Sequence, residues 1–328
     1  MTTTTAPIPT DERVTRLSTA SVRKVLEPEE LFDWSSLGRG QVIGDELLTT
    51  RGLPLDLTPD VKARLSREEV ASMLEMGIRF EAVLNAGFAL RIAETYDVAD
   101  ARITYMLHEI AEETRHQRAF IRLIDELDPK AVNPIEGSAV ERVLQFYTRR
   151  FIKMPAFLLV LVLAGEEIPD LLQKLAAEHP ETDPLLAAVN RYHRQEEARH
   201  LSFAKTTLPE LYANASRLDR WRIRHFAPVV IRLLFHMFVH PGVYSAVGLP
   251  GWPTWRAVNR TPERLAVRYH ATRNIVRTLL DTGVFPPERV PVGGGRCAAS
   301  TASASRWAGS CRCPSPSDGY RRAARRSL

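Results

Sequence analysis

Residues 112–116 read Glu-Glu-Thr-Arg-His, and residues 196–200 read Glu-Glu-Ala-Arg-His. In each, a glutamate (Glu113, Glu197) stands three residues before a histidine (His116, His200). Three residues turn an α-helix through about 300°, so each Glu-x-x-His pair shares one helix face. Those faces are otherwise mostly apolar. Ile103, Met106, Ile110, Glu113, Gln117, Phe120 and Ile124 recur at steps of three and four, as do Leu186, Val189, His193, Glu197, His200 and Ala204. The period predicts one helix from about Val98 to Asp128-Pro129 and another from about Asp183 to Lys205. Acids and imidazoles thus fall on stripes that should face a core.

Two more long helices follow from the same reading. Val70, Leu74, Gly77, Glu81, Leu84, Phe88 and Ile92 mark a helix face that ends near Tyr96. Ser66-Arg67-Glu68-Glu69 has the form of a capping box and predicts its start. A further helix spans about Pro155 to Glu178 and carries Glu166; Pro155 suits a first-turn position and Pro169 predicts a bend. Glu81 precedes Glu113 by 32 residues, and Glu166 precedes Glu197 by 31. The midpoints fall at residue 97 and at His179-Pro180-Glu181, where the two turns are expected. In an antiparallel hairpin, residues equally far from the turn lie side by side. Each lone glutamate therefore meets a Glu-x-x-His at its own height, and the two hairpins repeat one arrangement.

Amphipathic segments at Ala139 to Arg150, Asp219 to His240 and Pro262 to Asp281 add helices, and no period-two run suggests a sheet. The expected fold is all-α: a ferritin-like antiparallel four-helix bundle with additional N- and C-terminal helices. Residues 1–60 read as an arm wrapped on the body, 61–285 as the bundle domain, and 291–328 as a disordered basic tail.

Composition narrows the function. The chain has 328 residues, 45% hydrophobic and 25% charged, which excludes collagen-like, mucin-like and wholly disordered classes. Its formal charge of +5 is concentrated at the end, where residues 289–328 hold eight arginines and one acid. The body gives no electrostatic case for nucleic acid. Cys297, Cys311 and Cys313 all lie in that tail, so the body has no thiolate site or cysteine nucleophile. The tail reads as a segment without a role in preference to one that binds an acidic surface. The first ten residues lack the apolar core of a secretory signal. Met154 to Ala164 is too short to span a bilayer, and Ala227 to Val247 is broken by Arg232, His236, His240 and Pro241, so no membrane partner and a cytoplasmic location are expected.

Four unpaired carboxylates in one core would be prohibitively costly. Two divalent cations cancel them. A glutamate from each of two helices plus a Glu-x-x-His from each of two others is the ligand pattern of ferritin-like di-iron and di-manganese bundles. Mixed oxygen and imidazole donors suit Fe or Mn. The candidate ligands are Glu81, Glu113, His116, Glu166, Glu197 and His200. His193, on the same face, is either a third imidazole ligand or a core histidine satisfied by a carboxylate. Glu112, Glu167, Glu196, Arg115 and Arg199 lie about 100° off the ligand faces and read as supporting partners; Asp170 is a candidate acceptor for a ligand imidazole N–H. Arg232 reads as an internal ion-pair member rather than a substrate anchor, and His236 and His240 as packing.

The set Glu81, Glu113-x-x-His116, Glu166 and His193-x-x-x-Glu197-x-x-His200 resembles the AurF-like p-aminobenzoate N-oxygenase family over roughly residues 60 to 285. The resemblance implies a ferritin-like di-iron enzyme with His193 as the third imidazole ligand. It implies two Fe ions, with Mn as the substitute, O₂ as co-substrate and N-oxygenation of an aryl amine through hydroxylamine toward a nitro product. No residue beyond the ligands is assigned to catalysis. No flavin or nicotinamide motif is present, so electrons come from an external donor protein or reductant. The oligomeric state is open, a homodimer included. The rival expectations are hydroxylation or desaturation at carbon, and a metal-storage or oxidant-scavenging bundle without an organic substrate.

Overall fold

The computed structural model describes residues 9–23 and 25–286. The expectations for residues 291–328 lie outside these. The arm carries α1 (Thr10–Arg23), α2 (Pro28–Leu31) and two short 3₁₀ turns. The body is α3 (Pro59–Glu94), α4 (Ala101–Leu127), α5 (Ala139–Phe151), α6 (Pro155–Glu178), α7 (Pro184–Asn214), α8 (Arg217–Met237), α9 (Pro241–Ala246), α10 (Gly251–Val258) and α11 (Pro262–Asp281). No strand occurs among the described residues. The protein is an all-α, ferritin-like bundle with extra helices at both ends.

Local signals set the bundle helices. Thr58 caps α3 by accepting the Val61 N–H, and Pro59 fills the first turn. The capping box at residues 66–69 is not a helix start: it lies inside α3, where Ser66 Oγ donates to the Ala63 carbonyl at 2.8 Å and the acids also bond outside the helix. Ser66 Oγ accepts the Val42 N–H, Glu68 accepts the N–H groups of Lys130 and Ala131, and Glu69 accepts that of Thr49. These bonds fasten the arm and the exit of α4 to α3. Asp100 caps α4, whose end at Asp128 is a left-handed residue with φ 50°. Asp183 caps α7 through the Leu185 and Leu186 N–H groups. α6 continues through Pro169, and α7 continues through Pro209, nine residues past its expected end at Lys205.

α3 pairs with α4 and α6 with α7; α1 lies on α4 and α7, and α11 on α6. The buried face of α4 includes Tyr105, Glu109, Glu112, His116, Ala119 and Leu123, a stripe rotated from the sequence reading, which left Ile110, Gln117 and Ile124 only half-buried. The apolar core is in two parts. One holds Leu84, Phe88, Ile103, Met106, Leu201 and Phe203; the other holds Leu65, Leu74, Phe120, Leu123, Leu186 and Val189. Between them along α3, α4 and α7 lies a polar layer at Glu81, residues 109–116 and residues 193–200. Burying each large apolar side chain contributes about 1.5–3 kcal/mol, and that surplus supports the layer. An 18-residue window within Arg217–Ala246 reaches a mean hydropathy of 1.5, enough in length and composition to cross a membrane, but 56% of that window is buried within the fold, as in a core helix.

Candidate metal centre

All seven candidate residues converge on the polar layer. Glu81 comes from α3, Glu113 and His116 from α4, Glu166 from α6, and His193, Glu197 and His200 from α7. None exceeds 3% exposure, so solvent does little to offset their charge. His116 Nδ1 lies 3.2 Å from Glu113 and 3.1 Å from Glu197. His200 Nδ1 lies 2.9 Å from Glu197 and 3.2 Å from Glu113. Glu113 and Glu197 therefore each face both of these imidazoles. His193 turns its Nε2 inward, 3.3 Å from both Glu81 and Glu197.

The outer nitrogens are held by cross-bracing between the hairpins. His116 Nε2 donates to Glu196 at 3.0 Å, and His200 Nε2 donates to Glu112 at 2.9 Å. Arg115 pairs with Glu196 at 3.2 Å, and Arg199 pairs with Glu112 at 2.9 Å. Each Glu-Glu-x-x-His segment thus supplies an inward carboxylate and imidazole, plus an acid that orients the other helix's imidazole. Such a partner fixes the tautomer and presents the inner nitrogen as a lone-pair donor. Glu167 pairs with Lys205 and accepts from Asn274 at 3.1 Å. Asp170 takes Arg194 Nε at 2.7 Å instead of an imidazole. The acceptor for His193 Nδ1 is Gln173, at 2.9 Å.

The donor set fits a pair of cations. Glu81 Oε2, Glu113 Oε1, Glu166 Oε1 and Glu197 Oε1 are buried and accept no hydrogen bond from the described residues. Burial and the Glu113 charge push Glu81 well above the usual carboxylate range; burial and the Glu197 charge do the same to Glu166. Burial also opposes ionisation of Glu197, but the surrounding imidazoles hold it well below that range. Burial disfavours the charged forms of His116 and His200, yet facing carboxylates raise both well above the ordinary value. His193 is pushed down to about 4 by burial and by its cationic neighbour His116. Without a cation, protons are drawn onto Glu81, Glu166, His116 and His200, and this demand for positive charge is one that a pair of cations would meet. Ligand atoms lie within 4.8 Å of one another in the groups Glu81/His116/His193, Glu113/His116/Glu197 and Glu166/His193/Glu197, and this set contains no thiolate.

One face of the layer is open. A cavity of about 550 Å³ touches Glu81, Glu166 and His193 and is otherwise lined largely by apolar groups, among them Val70, Met73, Gly77, Phe80, Phe120 and Leu172. Glu113, His116, Glu197 and His200 do not line it.

The sequence matches the family described as p-aminobenzoate N-oxygenase AurF over residues 9–283. The chain belongs to the AurF family. Relatives include the uncharacterized proteins Rv0885 of Mycobacterium tuberculosis and Mb0909 of Mycobacterium bovis, each 26% identical over 240 residues, covering 70% of this chain and 69% of theirs. AurF proteins are di-iron oxygenases, so this chain is an oxidoreductase of that general chemistry acting on a small molecule. The AurF match also takes in α1 and the arm.

Three residues of the site were not read from the sequence. Gln173 lies two turns after Glu166, a spacing of seven that could have been read. Glu109, one turn before Glu113, is fully buried with both oxygens unpartnered, and burial raises it to about 8. Arg264 lines the cavity, whereas Arg232, expected in an internal ion pair, is exposed because its side of α8 faces solvent.

Proposed function

We propose that this AurF-family chain holds two iron ions through Glu81, Glu113, His116, Glu166, His193, Glu197 and His200, and N-oxygenates an aromatic amine toward the hydroxylamine and nitro levels. The observation that carries this reading is the open face. The cluster meets a largely apolar cavity of aryl-ligand size only at Glu81, Glu166 and His193. A bound iron pair supplies the O₂ activation and redox equivalents that side chains lack.

The chain's own residues do the rest. Glu113 and Glu197 occupy the shared position between the imidazoles. Glu112 and Glu196 hold the tautomers of His200 and His116. Phe80, Phe120 and Leu172 exclude water from the cavity and offer flat apolar contact to a ring. Electrons are drawn from an external donor, because the seven ligands include no redox-active side chain. A storage bundle has no need of such a cavity beside its metals.

The test is direct. Iron-loaded, reduced protein is exposed to ¹⁸O₂ with a panel of aminoarenes, and products are resolved by mass. Hydroxylamino and nitro products with label on nitrogen support the reading. Labelled ring or chain alcohols instead establish carbon oxidation. Iron oxidation continuing far beyond two ions per chain, with mineral formation, establishes storage.

A further inference from the structure

The two Glu-x-x-His segments match over a longer run than the motif itself. Glu109-x-x-Glu112-Glu113-x-Arg115-His116 on α4 and His193-x-x-Glu196-Glu197-x-Arg199-His200 on α7 agree at every named position except the first. Glu109 therefore holds, in one hairpin, the place that His193 holds in the other. Four residues turn a helix through about 400°, so each stands one turn before the inward glutamate of its own helix, on nearly the same face.

The packing repeats the sequence. The crossed bonds from His116 to Glu196 and from His200 to Glu112 exchange the roles of the two segments. His193 crosses from α7 to His116, their ring centroids 4.4 Å apart, and groups with His116 and Glu81. Glu109 crosses from α4 to His200 in the same way: ligand atoms of Glu109, Glu113 and His200 lie within 4.8 Å of one another. Glu109 is fully buried, and neither of its oxygens has a hydrogen-bond partner among the described residues. The Tyr105 hydroxyl, one turn earlier on α4, is buried and unpartnered too, so it does not serve Glu109. A desolvated carboxylate with no donor is a costly arrangement. A cation beside it reverses the cost. Glu109 does not line the cavity, so it stands on the closed side of the layer, whereas His193 stands on the open side.

We propose that Glu109 is an eighth ligand of the centre and binds the ion held by His200. The centre is then symmetric in position and asymmetric in donor. The ion at His116 takes a second imidazole, His193, on the cavity side. The ion at His200 takes a carboxylate, Glu109, on the closed side, and is the more oxygen-rich of the two. This deepens the metal set proposed above and rests on it for the pair of ions; it does not depend on the amine chemistry.

Anaerobic titration of the metal-free protein with Fe(II) against a competing chelator tests the ligand without turnover. Wild type binds two ions per chain. Glu109→Gln keeps the side-chain shape and removes the anionic donor. It binds the first ion within about threefold of wild type and the second about tenfold or more weakly, while its metal-free form is no less stable in urea. Glu109→His places on α4 the donor that α7 already uses, and binds the second ion more tightly than Glu109→Gln. A crystal structure of Fe(II)-loaded wild type needs no variant: a Glu109 oxygen stands within about 2.5 Å of the ion at His200. Two ions at wild-type affinity in Glu109→Gln, an equal loss of both ions, or Glu109 oxygens farther than that from the ion at His200 overturn the proposal. Wild-type protein that takes up fewer than two ions fails the metal reading itself and removes the eighth ligand with it, a result seen in the wild-type arm alone.

Discussion

His116 on α4 donates its Nε2–H to Glu196 on α7 at 3.0 Å, and the mirror bond runs from His200 on α7 to Glu112 on α4. The two halves of the centre are thus each oriented by the other. Glu196 is held below the ordinary carboxylate range, and Glu112 at about 2: burial opposes ionisation in both, and the imidazole and arginine partners outweigh it. Both acids stay ionised across the physiological range and keep His116 and His200 pointed inward.

Glu196→Gln and Glu112→Gln should therefore keep the helical fold and weaken metal binding by about 10–100-fold. Competition with a chelator measures this. Unchanged affinity in both variants would show that the imidazoles are oriented by packing alone.

His193→Ala should leave folding intact and alter the optical spectrum of the oxidised iron-loaded protein. His193 is the one imidazole of the centre that lines the cavity, and burial with His116 keeps it neutral, down to about 4, and so able to donate a lone pair. An identical spectrum and identical turnover would make it a packing residue.

Both hairpins, their turns and the seven converging residues were legible because an acid or imidazole on an apolar stripe breaks the pattern at a helical interval. The start of α3 was not, since Ser66 and Glu69 carry cap chemistry but spend it on Val42 and Thr49. Partners such as Gln173 and Arg264 were missed for a related reason. They act across helices, and only the three-dimensional packing of α6 and α11 brings them to the cavity. Asp170 shows the converse, being well spaced on its helix yet taken by Arg194.

Gly165→Ala should destabilise the fold by about 1–3 kcal/mol, read by urea denaturation. A Cβ there would stand 1.7 Å from the Phe80 ring. Adding Phe80→Ala should restore part of the loss, since the clash is with that ring. A neutral Gly165→Ala would mean that Phe80 has another rotamer open to it.

Glu69 gives the fold a pH dependence. Burial raises it from 4.5 to about 7. Between these values the folded chain keeps a proton that the unfolded chain releases, so stability falls as pH rises through the window. The loss is about 3 kcal/mol. Glu69→Gln removes it, so wild type should lose stability relative to the variant between pH 4.5 and 7.5 in parallel urea titrations. Parallel pH profiles would place the Glu69 titration near its ordinary value.

The central claim is a dinuclear centre built by two copies of one hairpin. Metal analysis of protein purified from iron-supplemented culture tests it most directly. Wild type should hold two irons per chain, and Glu113→Ala and Glu197→Ala, which remove the shared carboxylates, should each lose metal while remaining helical. A well-folded wild-type sample that never takes up more than one metal per chain would contradict the account.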